Sequence, residues 1–220
     1  MHAHPDISFF GVNDGSRDAT LSILQNLHEE FSSQFQCVNL TKNSGKAEAV
    51  RQGMLTAHQT GKFDYIGYWD ADFSTPLEEI DHFISFSGGQ LTHTLVMGSR
   101  ISRLGSQIRR KMKRHYLGRI FSTLTSYILG LRVYDTQCGA KLIASEEINT
   151  LLDKPFLSKW FFDVEILARL IKKYGKDKTY EIALEIPLLT WNEISGSKLK
   201  IMDFIKVPLE LLKIKRFYKI

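Results

Sequence analysis

The chain has 220 residues, 43% of them hydrophobic, and 29 Lys and Arg stand against 24 Asp and Glu for a formal net charge of +5. That size suits one well-buried domain spanning 1–220 and is short for two, and no repeat, low-complexity tract or linker divides it. No run approaches the roughly eighteen apolar residues of a membrane span, the start Met1-His2-Ala3-His4-Pro5 lacks signal-peptide regions, and Cys37 and Cys138 have neither disulfide-framework nor zinc spacing, so a soluble chain in a reducing compartment is expected.

Ile7 to Val12 is a compact β-prone run that ends in the polar turn Asn13-Asp14-Gly15-Ser16, and Leu21, Leu24, Leu27 and Phe31 then recur at helical spacing. Gln36 to Leu40 predicts a second strand, Asn43-Ser44-Gly45-Lys46 a loop, Ala47 to His58 a helix, and Tyr65 to Trp69 a third strand. Alternating strands and helices argue for an α/β sandwich with a largely parallel sheet, whose ligands gather at the carboxyl ends of the strands. A helix after Pro76, a strand near Leu95 to Met97, and a long basic helix from about Ile108 to Leu129, closed by Gly130, continue the pattern. A helix from roughly Asp163 to Tyr174 and a strand ending near Ile186-Pro187 follow.

Asp70-Ala71-Asp72 directly follows the third strand. Two carboxylates there can hold a hard dication such as Mg²⁺ or Mn²⁺, which shares its shell with substrate phosphates, so a diphosphate ligand is the first expectation. The competing explanation is an ordinary acidic surface loop.

The basic residues are clustered. Arg100 to Arg119 contains eight Lys or Arg and no acid, and Gly196 to Ile220 contains seven against Asp203 and Glu210. Such blocks attract phosphates of nucleic acid, lipid headgroups or small molecules. A basic nucleic-acid-binding module is the competing class, but it leaves Asp70 and Asp72 unexplained, because an acidic pair repels a phosphate backbone.

Seven fragments, in order, resemble the nucleotide-sugar-dependent glycosyltransferases of family 2. They are Val12-Asn13-Asp14-Gly15-Ser16-Arg17-Asp18, Asn43-Ser44-Gly45-Lys46, Asp70-Ala71-Asp72-Phe73-Ser74-Thr75-Pro76, Gly98-Ser99-Arg100, Asp135-Thr136-Gln137-Cys138-Gly139, Trp160-Phe161-Phe162-Asp163-Val164-Glu165 and Trp191-Asn192-Glu193-Ile194-Ser195-Gly196-Ser197-Lys198. The later fragments are most similar to the polyprenyl-phosphate sugar transferases, above all the dolichyl-phosphate β-glucosyltransferase branch. The resemblance implies a GT-A fold, a Rossmann-like α/β/α sandwich with a mostly parallel mixed sheet. In that family a further strand and its loop precede the one that is here Ile7 to Val12 and lie inside the sheet, so an N-terminally truncated domain with an open sheet edge is expected.

The resemblance also implies the chemistry. The donor is a nucleotide sugar such as UDP-glucose, and the acceptor is a polyprenyl or dolichyl phosphate reached at the cytoplasmic face of a membrane. Asp72 is the implied main ligand of Mg²⁺ or Mn²⁺, with Asp70 in the metal shell or on the ribose. Asp14 falls at a position near the base or ribose, and equally suits a turn-forming helix cap. Lys46 meets a phosphate or solvent. Arg100 and Arg110 correspond to arginines around the donor and acceptor phosphates, and Arg114 is a further acceptor-side candidate. Lys198 lies in a Gly-Ser-Lys loop that covers the donor phosphates in relatives.

A phosphate acceptor is already anionic near neutral pH, so transfer with inversion needs no strong general base. Asp135, Asp163 and Glu165 are therefore expected in site architecture, with one of the last two facing solvent or capping its helix. Residues 204–220 interleave apolar and basic side chains around Pro208, which is expected to interrupt any single helix, and suit either a lipid interface or a final packed helix. A hydroxyl acceptor in polysaccharide or glycolipid synthesis, and an inactive nucleotide-binding relative, remain alternatives.

Overall fold

The computed structural model describes residues 4–109, 112–193 and 201–220, with the side chains of 112–115 and 201–206 excepted. Three strand-helix units open the chain: β1 (Phe9–Asp14) and α1 (Thr20–Glu30), β2 (Phe35–Leu40) and α2 (Lys46–Gln59), then β3 (Tyr65–Trp69) and α3 (Glu79–Phe86). β4 (Leu95–Ser99), β5 (Gln107–Arg109) and α4 (Met112–Leu129) follow. The remainder comprises β6 (Ala140–Ala144), a short 3-10 turn, α5 (Ile148–Leu152), α6 (Phe162–Tyr174), α7 (Lys176–Ile182), β7 (Ala183–Pro187), β8 (Thr190–Asn192) and α8 (Ile201–Tyr218).

The strands form a mixed arrangement. β1 pairs with β2 in parallel, and a four-stranded sheet runs β3-β6-β4-β7, with β6 antiparallel to both neighbours and β7 parallel to β4. β5 and β8 make a separate short parallel pair. All five residues of β4 are buried, as a strand flanked on both edges and covered on both faces requires.

β1 and β3 are not hydrogen-bonded to each other, so the sheet is interrupted between them. Their carboxyl ends nonetheless lie together, because α2 packs on both and its first residue reaches the end of β3. Phe10 of β1 meets Phe63, just before β3, edge to face at 5.9 Å. Apolar side chains thus join the two sheet pieces where backbone pairing does not.

The helices close the main core. Ten consecutive residues of α6, Phe162 to Ile171, are buried, which a one-sided amphipathic helix does not achieve. Burial all round requires each polar member to be paired. Asp163 meets Lys141, and Glu165 meets Arg169 and the Tyr218 hydroxyl, so the expectation that one of these acids faces solvent is corrected. The second carboxylate cannot be placed from helix geometry alone, since its partner Tyr218 lies 53 residues away.

Two further expectations change. The basic helix begins at Met112 rather than near Ile108, because Gln107 to Arg109 pair with Thr190 to Asn192 as β5 and β8. Pro208 does not interrupt the last helix. It lies within α8 at an exposed position. α8 packs on α4 and α6, burying Val207, Leu211, Ile214 and Tyr218.

Candidate active site

The site is assembled from the turns that leave β1, β3 and β4. At the end of β1, buried Asn13 bonds Asn39 of β2 at 2.7 Å, and its side-chain oxygen accepts the Ser16 amide at 3.1 Å. Gly15 follows at φ 62°, packed so closely on the Lys42-Asn43 backbone that a side chain would collide with it. The Asp14 carboxylate accepts the Ser44 and Gly45 amides at 2.7 and 2.8 Å, while its carbonyl receives the Asn43 side chain at 3.0 Å. Asp14 therefore fastens the loop ahead of α2 and places its charge at that helix's amino end, where the dipole favours an anion.

Lys46, the first residue of α2, reaches across the sheet break. Its ammonium lies 2.6 Å from Asp70 Oδ1 and about 6 Å from the ring centres of Tyr68 and Phe162, at 6.0 and 5.9 Å. Asp70 in turn donates its amide to the Gly139 carbonyl at 2.8 Å. A Cβ at position 139 would collide with the Asp70 carboxylate, so glycine there is what lets the acid lie against β6.

The turn continues through exposed Asp72, whose Oδ1 accepts the Ser74 amide at 2.9 Å. Phe73 sits at φ 53°, a left-handed conformation uncommon for an aromatic residue, with its amide bonded to the Asp70 carbonyl at 3.1 Å. Buried Ser74 and Thr75 anchor the far side, where the Ser74 carbonyl receives the Asn192 amide at 2.9 Å. Asp70, seated against β6, and exposed Asp72 thus belong to one turn fixed at both ends.

Arg100, just past β4, is clamped by Asp135. Nε donates to Oδ2 at 2.6 Å and Nη2 to Oδ1 at 2.8 Å, with the guanidinium 5.4 Å from the Trp191 ring centre. Burial alone would ease the proton off this guanidinium, but the Asp135 charge and hydrogen bonds outweigh it and Asp70 adds to them, so the group is held more firmly protonated than usual. Glu185 supports the clamp from beneath by accepting the Tyr134 and Asp135 amides at 2.8 and 2.6 Å. Its burial pushes its own carboxyl upward, against those two amides.

The structure therefore brings Asp14, Lys46, Asp70 and Asp72 to one end of the strands, with Arg100 beyond them at the end of β4. Arg110 and Lys198 lie outside the described residues. Arg114 falls within α4, and its side chain is not among those described. Sequence reasoning missed Glu185 and Glu79, the latter a buried acid of α3 that accepts the Leu189 and Thr190 amides at 3.2 and 2.6 Å. Neither acid belongs to a recognisable fragment, and both act on backbone amides distant in sequence, 110 and 111 residues away for Glu79.

Among the described residues no group of three or more His, Cys, Asp or Glu is arranged around a common point. Two carboxylates on one turn, both hard oxygen donors and one of them exposed, instead suit Mg²⁺ or Mn²⁺ completed by water and phosphate. The side chains present fit an ion of that kind.

A family model described as glycosyl transferase family 2 matches residues 3–147. The chain belongs to this family. It is 33% identical over 214 residues to a dolichyl-phosphate beta-glucosyltransferase of Trichomonas vaginalis, covering 95% of this chain and 62% of that protein. The Saccharomyces cerevisiae dolichyl-phosphate beta-glucosyltransferase is 33% identical over 224 residues, covering 94% of this chain and 64% of that protein. The chain thus spans less than two thirds of the length of these curated relatives.

Among solved structures, glucosyl-3-phosphoglycerate synthase from Mycobacterium tuberculosis with UDP superposes with a TM-score of 0.61 at 14% identity, over 96% of this chain and 69% of that one. The same enzyme with Mn²⁺ and UDP-glucose gives 0.59 at 14% identity, over 94% and 66%. At that identity the likeness establishes the GT-A fold alone.

Proposed function

We propose that this family 2 chain moves glucose from UDP-glucose to dolichyl phosphate or a related polyprenyl phosphate, inverting the anomeric centre, with Mg²⁺ or Mn²⁺ as cofactor. The observation that carries the reading is the Lys46 to Asp70 contact at 2.6 Å beside exposed Asp72. An ammonium and two carboxylates on adjoining turns present a cation and cation ligands to the same diphosphate. The named activity of the relatives supplies the acceptor.

Asp72 and Asp70 would hold the dication, which when bound stabilises negative charge on the departing diphosphate as a Lewis acid. Lys46 adds a positive charge at the same place, and Asp14 keeps the Asn43-Ser44-Gly45 loop in position for the nucleoside. Arg100, preset by Asp135, offers its remaining N–H groups and its charge to phosphate; Arg110, Arg114 and Lys198 are the additional phosphate contacts in this reading. Asp163 and Glu165 are tied to Lys141 and Arg169, so neither is set up as a general base. That arrangement favours an acceptor that arrives already ionised, and so a phosphate over a hydroxyl.

The lipid end of the acceptor must be met at a membrane. The packed helices α4 and α8 expose Tyr116, Ile120 and Tyr127 on one and Leu209, Leu212 and Phe217 on the other, with Arg119, Lys213, Arg216 and Lys219 among them. No helix among the described residues is long and apolar enough to cross a membrane. The exposed apolar and basic side chains of α4 and α8 support a reading in which this chain works at the cytoplasmic face of a membrane, with these side chains at the lipid interface.

The test is transfer of radiolabelled glucose from UDP-glucose to a short polyprenyl phosphate in the presence of Mn²⁺. Formation of a β-linked lipid-phosphate glucose is the expected result. Transfer to a sugar or lipid hydroxyl, with none to phosphate, would replace this reading.

A further inference from the structure

Lys141 is fully buried in β6, an expensive place for an ammonium. Its Nζ lies 2.6 Å from Asp163 Oδ1, 2.6 Å from the Cys138 carbonyl, 2.9 Å from the Thr136 carbonyl and 3.1 Å from the Tyr68 hydroxyl. Tyr68 itself donates to the same Asp163 oxygen. The charge is balanced by Asp163, yet two of the acceptors are main-chain carbonyls of the segment between Asp135 and Gly139.

That segment carries both sides of the candidate site. At one end Asp135 grips Arg100; at the other Gly139 accepts the Asp70 amide and leaves room for its carboxylate. The remaining groups are pinned as well. Glu185 takes the Asp135 amide, the Gln137 amide bonds Asp135 Oδ1 at 3.2 Å, and Lys141 takes the two carbonyls between. Simple core filling does not call for a lysine at this position, since a buried ion pair is often no more stabilising than apolar residues of similar volume.

We propose that Lys141 is a positioning residue: its ammonium holds the 135–139 segment so that Gly139 seats Asp70 and Asp135 seats Arg100 at a fixed separation. The inference rests on the donor-site reading above. It assigns Lys141 no contact with substrate. Its effect is to keep the metal-binding carboxylate and the phosphate-binding guanidinium in register.

The test is calorimetric binding of UDP with and without Mn²⁺ to the wild-type chain and to a K141M/D163N double variant, with circular dichroism to check the fold. Changing both partners leaves no unpaired buried charge, so the fold is expected to persist. UDP binding without metal should weaken by no more than about tenfold, the share carried by Arg100, because the Asp14-anchored loop is untouched, while the gain on adding Mn²⁺ should fall at least tenfold as well. Should the double variant not fold, K141Q/D163N, which keeps an amide donor for the carbonyls and leaves no unpaired charge, should show an intermediate loss.

Gly139→Ala should lose the same gain with Lys141 intact, since the added carbon displaces Asp70. A folded Lys141 variant with an undiminished response to Mn²⁺ would overturn the role of Lys141 and leave the donor site standing. A wild-type chain whose UDP binding ignores Mn²⁺ would instead remove the donor-site reading, and this inference with it.

Discussion

Lys46 Nζ and Asp70 Oδ1 lie 2.6 Å apart, so one ion pair ties the amino end of α2, which packs on both β1 and β3, to the end of β3, where the two strands share no backbone hydrogen bond. Both side chains are partly exposed, so the pair itself adds little stability. Its importance is electrostatic: an ammonium beside the carboxylate proposed to bind metal opposes an incoming dication and favours an incoming diphosphate.

Lys46→Met should therefore have opposite effects on the two ligands. Mn²⁺ alone should bind more tightly, because Asp70 loses its competing partner, and UDP should bind roughly tenfold more weakly for want of one charge-assisted contact. Separate calorimetric titrations with each ligand check this, and weaker binding of both would show that Lys46 acts mainly by holding α2 in place.

Asp14→Ala removes two charge-assisted bonds to the Ser44 and Gly45 amides. A loss of about 2 kcal/mol in urea unfolding is expected, together with weaker UDP binding. Asp14→Asn can still accept one amide, so it should lose less. Equal losses in the two variants would locate the effect outside these bonds.

The legible part of the fold is the part governed by local pattern. β3 falls where its apolar run predicts, and α1, α2 and α6 start and stop within a residue or two of their periodic side chains. β5 and β8 have only three residues each and exist through pairing with one another, which no window of sequence displays. β6 is concealed by Lys141, a charged residue in a buried central strand whose countercharge, Asp163, lies 22 residues away. The site divides in the same way: Asp70-Ala71-Asp72 is visible as a fragment, whereas Glu79, Glu185 and the Gly139 seat depend on contacts between distant segments.

Stability should decline in alkali for an identifiable reason. Burial first, and then the nearby Asp135 charge, push the Cys138 thiol up to about 12 from its ordinary 9.0. Burial and the bond to Glu165 push Tyr218 to about 12 from 10.0. In each case the folded chain keeps a proton that the unfolded chain releases at lower pH. The stability they contribute is therefore complete below about pH 9 and is lost as pH rises toward 12. Cys138→Ala should flatten the part of the decline that begins near pH 9, measured as urea midpoints across the range. An unchanged slope would show that the thiol does not contribute.

The apolar residues exposed on α8 provide a test of membrane docking. L209D/L212D places charges among exposed positions while sparing buried Val207, Leu211 and Ile214. Wild type should co-sediment with phosphatidylcholine vesicles containing phosphatidylserine, and the variant should remain in the supernatant with its thermal midpoint unchanged. Equal sedimentation of the two would direct attention away from α8.

The most direct measurement is UDP affinity with and without Mn²⁺, compared between wild type and Asp72→Asn. Wild type should gain at least tenfold from the metal and Asp72→Asn little, with the same circular dichroism spectrum for both. A wild-type affinity indifferent to Mn²⁺, or a full metal response in Asp72→Asn, would contradict metal binding at Asp72.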